Sequence, residues 1–205
     1  MQRLLPVSPG DPHLLEARAE ALYRGGVRQL LVREPTLDGR RLVALLNRLS
    51  QRFELIVHAR NRHGEEIAQL AGHGLHLPGV ADVAAVRERF QGLLGYSAHS
   101  DDDVLYAQAA GADYVTLSPI YRPTSKPEDD RTPLGPELAM AVQRNVRVKV
   151  FALGGVDPDR FGELRHGGVF GCAVLGGLFM VPDAEAAARA FLSTEVARQM
   201  DLLGG

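Results

Sequence analysis

The chain has one cysteine, almost no net charge and no long apolar run, and each shortage removes a class of function. Cys172 lies inside an apolar stretch with no second cysteine to pair with, so no disulfide framework holds the fold and the residue reads as core packing. A formal net charge of -2 over 205 residues gives no electrostatic ground for nucleic acid or an anionic membrane as partner. No apolar run approaches the ~20 residues of a membrane span. Met1 to Ser8, interrupted by Pro6 and followed by Pro9, is too short for a signal peptide, so a reducing cytoplasm is expected. No Gly-x-Gly-x-x-Gly follows the first apolar run, which removes the usual sign of a dinucleotide fold. No His-x-His pair follows it either, which weighs against a zinc hydrolase built on a barrel.

What remains is an alternation of short apolar runs and helical patterns. The expected strands are Arg3–Val7, Val27–Arg33, Glu54–His58, Gly74–Leu77, Leu93–Ser97, Ala112–Leu117, Val148–Leu153 and Phe170–Leu175. Between and after them the expected helices are Pro12–Arg24, Asp38–Arg52, Glu65–Ala71, Asp82–Phe90, Asp101–Ala110, Pro136–Gln143, Asp159–Arg165 and Ala184–Met200. Asp11 and Ser100 read as N-caps and Gly25-Gly26 as a stop. Leu42, Leu45, Leu46 and Leu49 fall on one helical face. Eight βα units predict a single-domain (β/α)8 TIM barrel over residues 1–205, with trimmed helices and no room for a second domain.

In such a barrel the C-terminal strand ends define the site. The last two strands each end in paired glycines, Gly154-Gly155 and Gly176-Gly177, which let backbone N–H groups approach a phosphate. Other strand ends carry Arg33 and Glu34, His58 and Arg60, His76, then Ser97 and His99. Each histidine alone could be a satisfied core side chain, and Arg33 with Glu34 could be a structural ion pair. Together they would ring one pocket. The longest break in the pattern, Ser118 to Pro133, holds Arg122, Thr124, Ser125, Lys126 and Arg131, a set suited to phosphate oxygens, and reads as a lid.

These residues carry a resemblance. Gly95-Tyr-Ser-Ala-His-Ser100, Ala107 to Tyr114, Ser118-Pro-Ile-Tyr-Arg-Pro-Thr-Ser-Lys126, Pro133-Leu-Gly135 and Ala152-Leu-Gly-Gly155 stand in an order and spacing similar to the thiamine phosphate synthase superfamily, which includes the TenI-type thiazole tautomerases. The resemblance implies the same barrel and a role in vitamin B1 biosynthesis. It assigns Pro123, Thr124 and Ser125 to a thiazole phosphate, with Gly154, Gly155, Leu175 and Gly176 as its cup, and assigns Ser97 and Lys126 to the pyrophosphate of a pyrimidine substrate.

The pyrimidine side departs from the synthase pattern. Leu31 and Pro35 replace the Gln and Lys of that pattern, and Ala59 and Ala81 stand where it has metal-binding Asp. Without hard oxygen ligands Mg²⁺ is poorly held, so the expectation from sequence is a TenI-like tautomerase, an isomerase moving a proton on a thiazole carboxylate phosphate without metal or cofactor. Leu75-His-Leu-Pro78 resembles that branch, whereas Pro119 replaces its histidine. Imidazoles titrate near neutrality in solution, so His99, His58 or His76 would take over, His99 first, with Ser97 beside them. Two alternatives stay open. One is a synthase joining hydroxymethylpyrimidine pyrophosphate to thiazole phosphate. The other is a non-catalytic thiazole phosphate binding or regulatory protein. The expected partner is a small phosphorylated thiazole, with homo-oligomer formation left open.

Overall fold

The computed structural model describes residues 1–122 and 130–203, with side chains as far as Thr194. Eight parallel strands, β1 (Leu4–Pro6), β2 (Gln29–Val32), β3 (Glu54–His58), β4 (Gly74–Leu77), β5 (Leu94–Ala98), β6 (Tyr114–Leu117), β7 (Lys149–Leu153) and β8 (Gly171–Val174), pair in the order β1-β8-β7-β6-β5-β4-β3-β2. The ends of that row meet at a parallel bridge between Val7 and Leu31, where the Ser8 amide donates to the Leu31 carbonyl at 2.9 Å. The sheet therefore closes, and the chain is a (β/α)8 barrel.

The helices are α1 (Pro12–Arg24), α2 (Gly39–Leu49), α3 (Gly64–Ala71), α4 (Val83–Arg89), α5 (Asp101–Ala109), α6 (Pro136–Asn145), α7 (Pro158–His166), α8 (Gly176–Phe179) and α9 (Ala184–Leu203). Six of them start on a side-chain cap: Asp11, Asp38, Asp82, Ser100, Asp157 and Asp183 each accept from amides two or three residues on. Two sequence boundaries move accordingly, since Asp38 and Asp82 precede their helices as caps. Helix α2 also stops at Leu49 rather than Arg52, with Ser50 as C-cap donating back to the Leu46 carbonyl. The single turn α8 was not anticipated, because its four residues, opening on Gly176-Gly177, are too few to show a helical period.

The core has two parts. Most buried apolar residues lie between strands and helices, among them Leu15, Leu42, Phe161 and Phe191. A smaller cluster fills the barrel itself: Leu5, Val7, Leu31, Ile56, Tyr114, Phe151 and Ala173. Small and large residues alternate around its floor. A Cβ on Gly95 would overlap the Tyr114 ring, and one on Gly171 would lie 2.9 Å from the Phe151 ring. Glycine is required at 95 because the Tyr114 ring of the next strand occupies the space, and at 171 because the Arg3 backbone carbonyl does, with the Phe151 ring of the preceding strand beside it. Two residues further along, the same inward faces carry His58, His76, Ser97 and Thr116, so the period of two lifts a polar ring directly above an apolar floor.

Candidate active site

That polar ring lines a cavity of about 340 Å³ at the C-terminal ends of the strands. The structure brings Arg33, His58, Arg60, His76, Ser97 and His99 together in its walls, with Gly154 and Leu175 on the far side. A second hollow of about 160 Å³ adjoins it and shares Leu153, Gly154 and Leu175 with it. Gly155, Gly176 and Gly177 line this hollow and make it a glycine-walled cup. Pro123, Thr124, Ser125 and Lys126 lie outside the described residues.

A buried relay orders one wall. The Tyr114 hydroxyl lies 2.9 Å from His76 Nδ1, and His76 Nε2 lies 2.9 Å from Ser97 Oγ. Burial holds the Tyr114 phenol well above its ordinary pKa, so it keeps its proton. Burial first, and the neighbouring His58 imidazole second, hold His76 well below its ordinary value, so it is neutral. The phenol is fully buried and gives its hydrogen to Nδ1, which leaves the imidazole proton on Nε2, donated to Ser97 Oγ. Ser97 accepts that bond, and its own hydrogen is free to be donated into the cavity. The outcome is an oriented hydroxyl donor suited to an anion.

His58 is pushed down to about 3, chiefly by burial and then by the guanidinium groups of Arg33 and Arg60. Its Nδ1 accepts from the Arg60 amide at 3.0 Å, and its ring stands 5.3 Å from that of His76. His58 and His76 are thus weak bases that carry no charge near neutral pH. His99 Nδ1 sits 2.9 Å from the Ser118 carbonyl oxygen and 3.0 Å from Arg131 Nη1. One of these neighbours accepts and the other donates, so the imidazole satisfies one of them in each tautomer.

Arg33 is placed by a brace behind it. Its amide donates to Ser8 Oγ at 2.7 Å, the Glu34 amide donates to Asn61 Oδ1 at 2.6 Å, and Asn61 Nδ2 donates to the Val32 carbonyl at 2.8 Å. Glu34 is fully buried, with Oε1 accepting from the Gly10 amide at 3.1 Å. Burial raises its pKa. The Arg33–Glu34 ion pair considered from sequence does not form. Glu34 bonds instead to Gly10 and Ser8, and the Arg33 side chain lines the cavity.

In the cup, Gly154 and Gly155 adopt φ of +102° and +63°. Among the described residues neither of their amides donates to a protein acceptor. Gly176 and Gly177 open α8, whose first N–H groups have no intrahelical acceptor. Sequence reasoning missed Arg160, which lines the cup, donates to the Gly155 carbonyl at 2.6 Å and stacks 4.4 Å from the Tyr121 ring centroid. A signal existed: a cation in the first turn of α7 opposes the helix dipole and invites a functional reading. Tyr114 and Thr116 were missed too, because strand-to-strand neighbours leave no local trace.

Magnesium is the ion that the resemblance raises for a synthase. Among the described residues no Asp or Glu lines the cavity. Among the described residues no group of three or more His, Cys, Asp or Glu could hold a metal. This donor set does not fit a protein-held Mg²⁺, which requires hard oxygen ligands.

Comparison with known proteins places the molecule. The family model described as thiamine monophosphate synthase matches residues 4–178. The thiamine-phosphate synthase of Thioalkalivibrio sulfidiphilus is 33% identical over 198 residues, covering 90% of this chain and 89% of its own. That of Bordetella pertussis is 34% identical over 193 residues, covering 88% of each chain. In structure, the thiamine phosphate pyrophosphorylase of Pyrococcus furiosus superposes with a TM-score of 0.78 at 22% identity, covering 94% of both chains, and so supports the fold. These names correct the tautomerase expectation and the isomerase class with it, since the relatives that align over most of the chain are named as synthases, which are transferases. The single motif Leu75-His-Leu-Pro78 was too short to outweigh that whole-chain similarity. On the match over residues 4–178 and these relatives, the chain belongs to the thiamine monophosphate synthase family.

Proposed function

We propose that the protein is a thiamine-phosphate synthase, a transferase joining a phosphorylated thiazole to a pyrimidine carried on diphosphate. The observation that carries this reading is the pair of adjoining hollows with shared walls, a glycine cup opening directly into a cavity lined by arginines. A reaction of two anionic substrates needs two anion subsites side by side, and the shared walls provide that adjacency. In the proposed arrangement Gly154, Gly155, Gly176 and Gly177 receive the thiazole phosphate through backbone N–H groups, with Arg160 beside them. Arg33, Arg60 and the Ser97 hydroxyl face the diphosphate. The reaction exchanges a carbon–oxygen bond to diphosphate for a carbon–nitrogen bond to the thiazole, so it needs no redox partner. The residues supply proximity and charge stabilisation for the departing diphosphate. His99 and Arg131 wall the same cavity on the β5–β6 side and would contact the substrates there. No described helix is long and apolar enough to cross a membrane, and small phosphorylated substrates suit a cytoplasmic setting.

The test is product formation by the purified full chain supplied with hydroxymethylpyrimidine pyrophosphate and thiazole phosphate, with and without Mg²⁺. Thiamine phosphate and pyrophosphate should appear in equal amounts, and neither substrate alone should yield product. Absence of thiamine phosphate under both conditions would leave a binding protein as the better description.

A further inference from the structure

The charge in the main cavity is one-sided. Among the described residues three arginines, Arg33, Arg60 and Arg131, line it, and no carboxylate does. Among the described residues the side chains of Arg33 and Arg60 form no hydrogen bond or ion pair, unlike most arginines of this chain, which are held by carboxylates or carbonyls. Guanidinium groups left without a partner at the mouth of a cavity repel a free divalent cation and attract a polyanion, each offering a planar fork that matches phosphate oxygens. They lie near enough to His58 to depress its basicity together, which locates both charges on one wall. Thr116 stands in the same cavity with its hydroxyl buried and without a protein partner. Ser97, oriented through His76, supplies a further donor. Among the described residues the polar groups on this wall are thus arranged to meet an anion, and none to meet a metal.

We propose that the diphosphate subsite is built for the bare anion, with Arg33 and Arg60 carrying the positive charge that a divalent cation would otherwise supply, so that pyrophosphate binds without Mg²⁺. The proposal rests on the reading of this cavity as the diphosphate half of a two-substrate site. When the carbon–oxygen bond breaks, the electron pair goes to the diphosphate oxygen, and the added negative charge falls on the guanidinium wall.

Titration calorimetry of the full chain tests this with two probes, inorganic pyrophosphate for the cavity and orthophosphate for the cup, each in excess chelator and again in excess Mg²⁺. Pyrophosphate should bind in chelator, and Mg²⁺ should leave its affinity equal or weaker, because the cation competes for the anion. Arg33→Met and Arg60→Met should each weaken pyrophosphate ~10-fold or more in chelator, the scale of one charge-assisted contact, while orthophosphate binding stays within ~2-fold of the parent. Pyrophosphate binding that needs Mg²⁺, or tightens ~10-fold with it, overturns the proposal while leaving the two-substrate reading intact. Metal-independent binding unaffected by either substitution overturns the assignment to Arg33 and Arg60. Failure of both probes to bind under any condition overturns the two-substrate reading as well. The comparison of chelator with Mg²⁺ uses the parent protein alone, so it decides the matter even if a variant does not fold.

Discussion

Acidification should destabilise this fold through His58 in a way that one substitution removes. In the folded chain burial and two guanidinium groups hold His58 at about 3, whereas an unfolded histidine takes its proton near its ordinary value of about 6.5. Between those values the unfolded state binds more protons than the folded one, so stability rises with pH across that window. The sign is therefore fixed: the contribution of this residue is fully retained above about pH 6.5, declines as pH falls toward about 3, and is constant below. Linkage with those two values gives a loss of about 2 kcal/mol between pH 7 and pH 5 from this side chain. For a chain of this size that corresponds to about 4–8 °C in melting temperature. His58→Asn keeps an acceptor where Nδ1 takes the Arg60 amide, but it does not titrate. Urea denaturation of parent and variant at pH 7 and pH 5 gives four free energies, and the parent should lose about 2 kcal/mol more than the variant. His76 is depressed in the same direction but is present in both proteins, so it largely cancels in the comparison. If the two proteins decline in parallel, to within about 0.5 kcal/mol, His58 is not held neutral against its charged neighbours and the electrostatic account of the cavity wall is wrong.

Two further outcomes bear on the same site. Tyr114→Phe removes the donor to His76 Nδ1 and leaves a buried nitrogen unsatisfied, which should cost about 1–3 kcal/mol in denaturant unfolding. It should also weaken pyrophosphate several-fold by letting Ser97 lose its orientation. Unchanged pyrophosphate affinity in a folded variant would rule out the assigned tautomer. Gly155→Ala puts a Cβ at φ +63° and 2.6 Å from the Arg122 carbonyl, so calorimetry should show orthophosphate weakened ~10-fold or more with pyrophosphate little changed. Equal loss of both anions would show that the cup and the cavity are not separate subsites.

The features legible in the sequence were those that neighbours along the chain determine. Helix α1 and strands β3 and β4 stand at the residues that their patterns predict, because a cap such as Asp11 and an apolar run such as Glu54–His58 act locally. The glycine pairs at 154–155 and 176–177 were readable for the same reason. Tyr114 was not. Its partner His76 is 38 residues away, and the residue that makes room for it, Gly95, lies on the preceding strand. Arg33 with Glu34 shows the limit most clearly: adjacent opposite charges suggest an ion pair, yet strand geometry sends successive side chains to opposite faces, so one reaches the cavity and the other the interior. The activity was misassigned because a four-residue motif and two absent carboxylates were allowed to outweigh a similarity that runs over most of the chain.

The closure of the barrel between Val7 and Leu31 gives the β1–β2 joint an unusual division of labour. Elsewhere around the ring several ladder positions fasten each strand to the next, but here a single bridge does so, and the remaining fastening falls to side chains: Ser8 to the Arg33 amide, Glu34 to Gly10, and Asn61 to β2 and its C-terminal end. Backbone ladders tolerate almost any sequence, whereas these fasteners are specific to their residues. The joint should therefore be the place where amide hydrogens exchange with solvent ahead of the other strand pairs. It should also be the place where Ser8 and Asn61, the second of which does not line the cavity, nevertheless determine where the Arg33 guanidinium comes to rest.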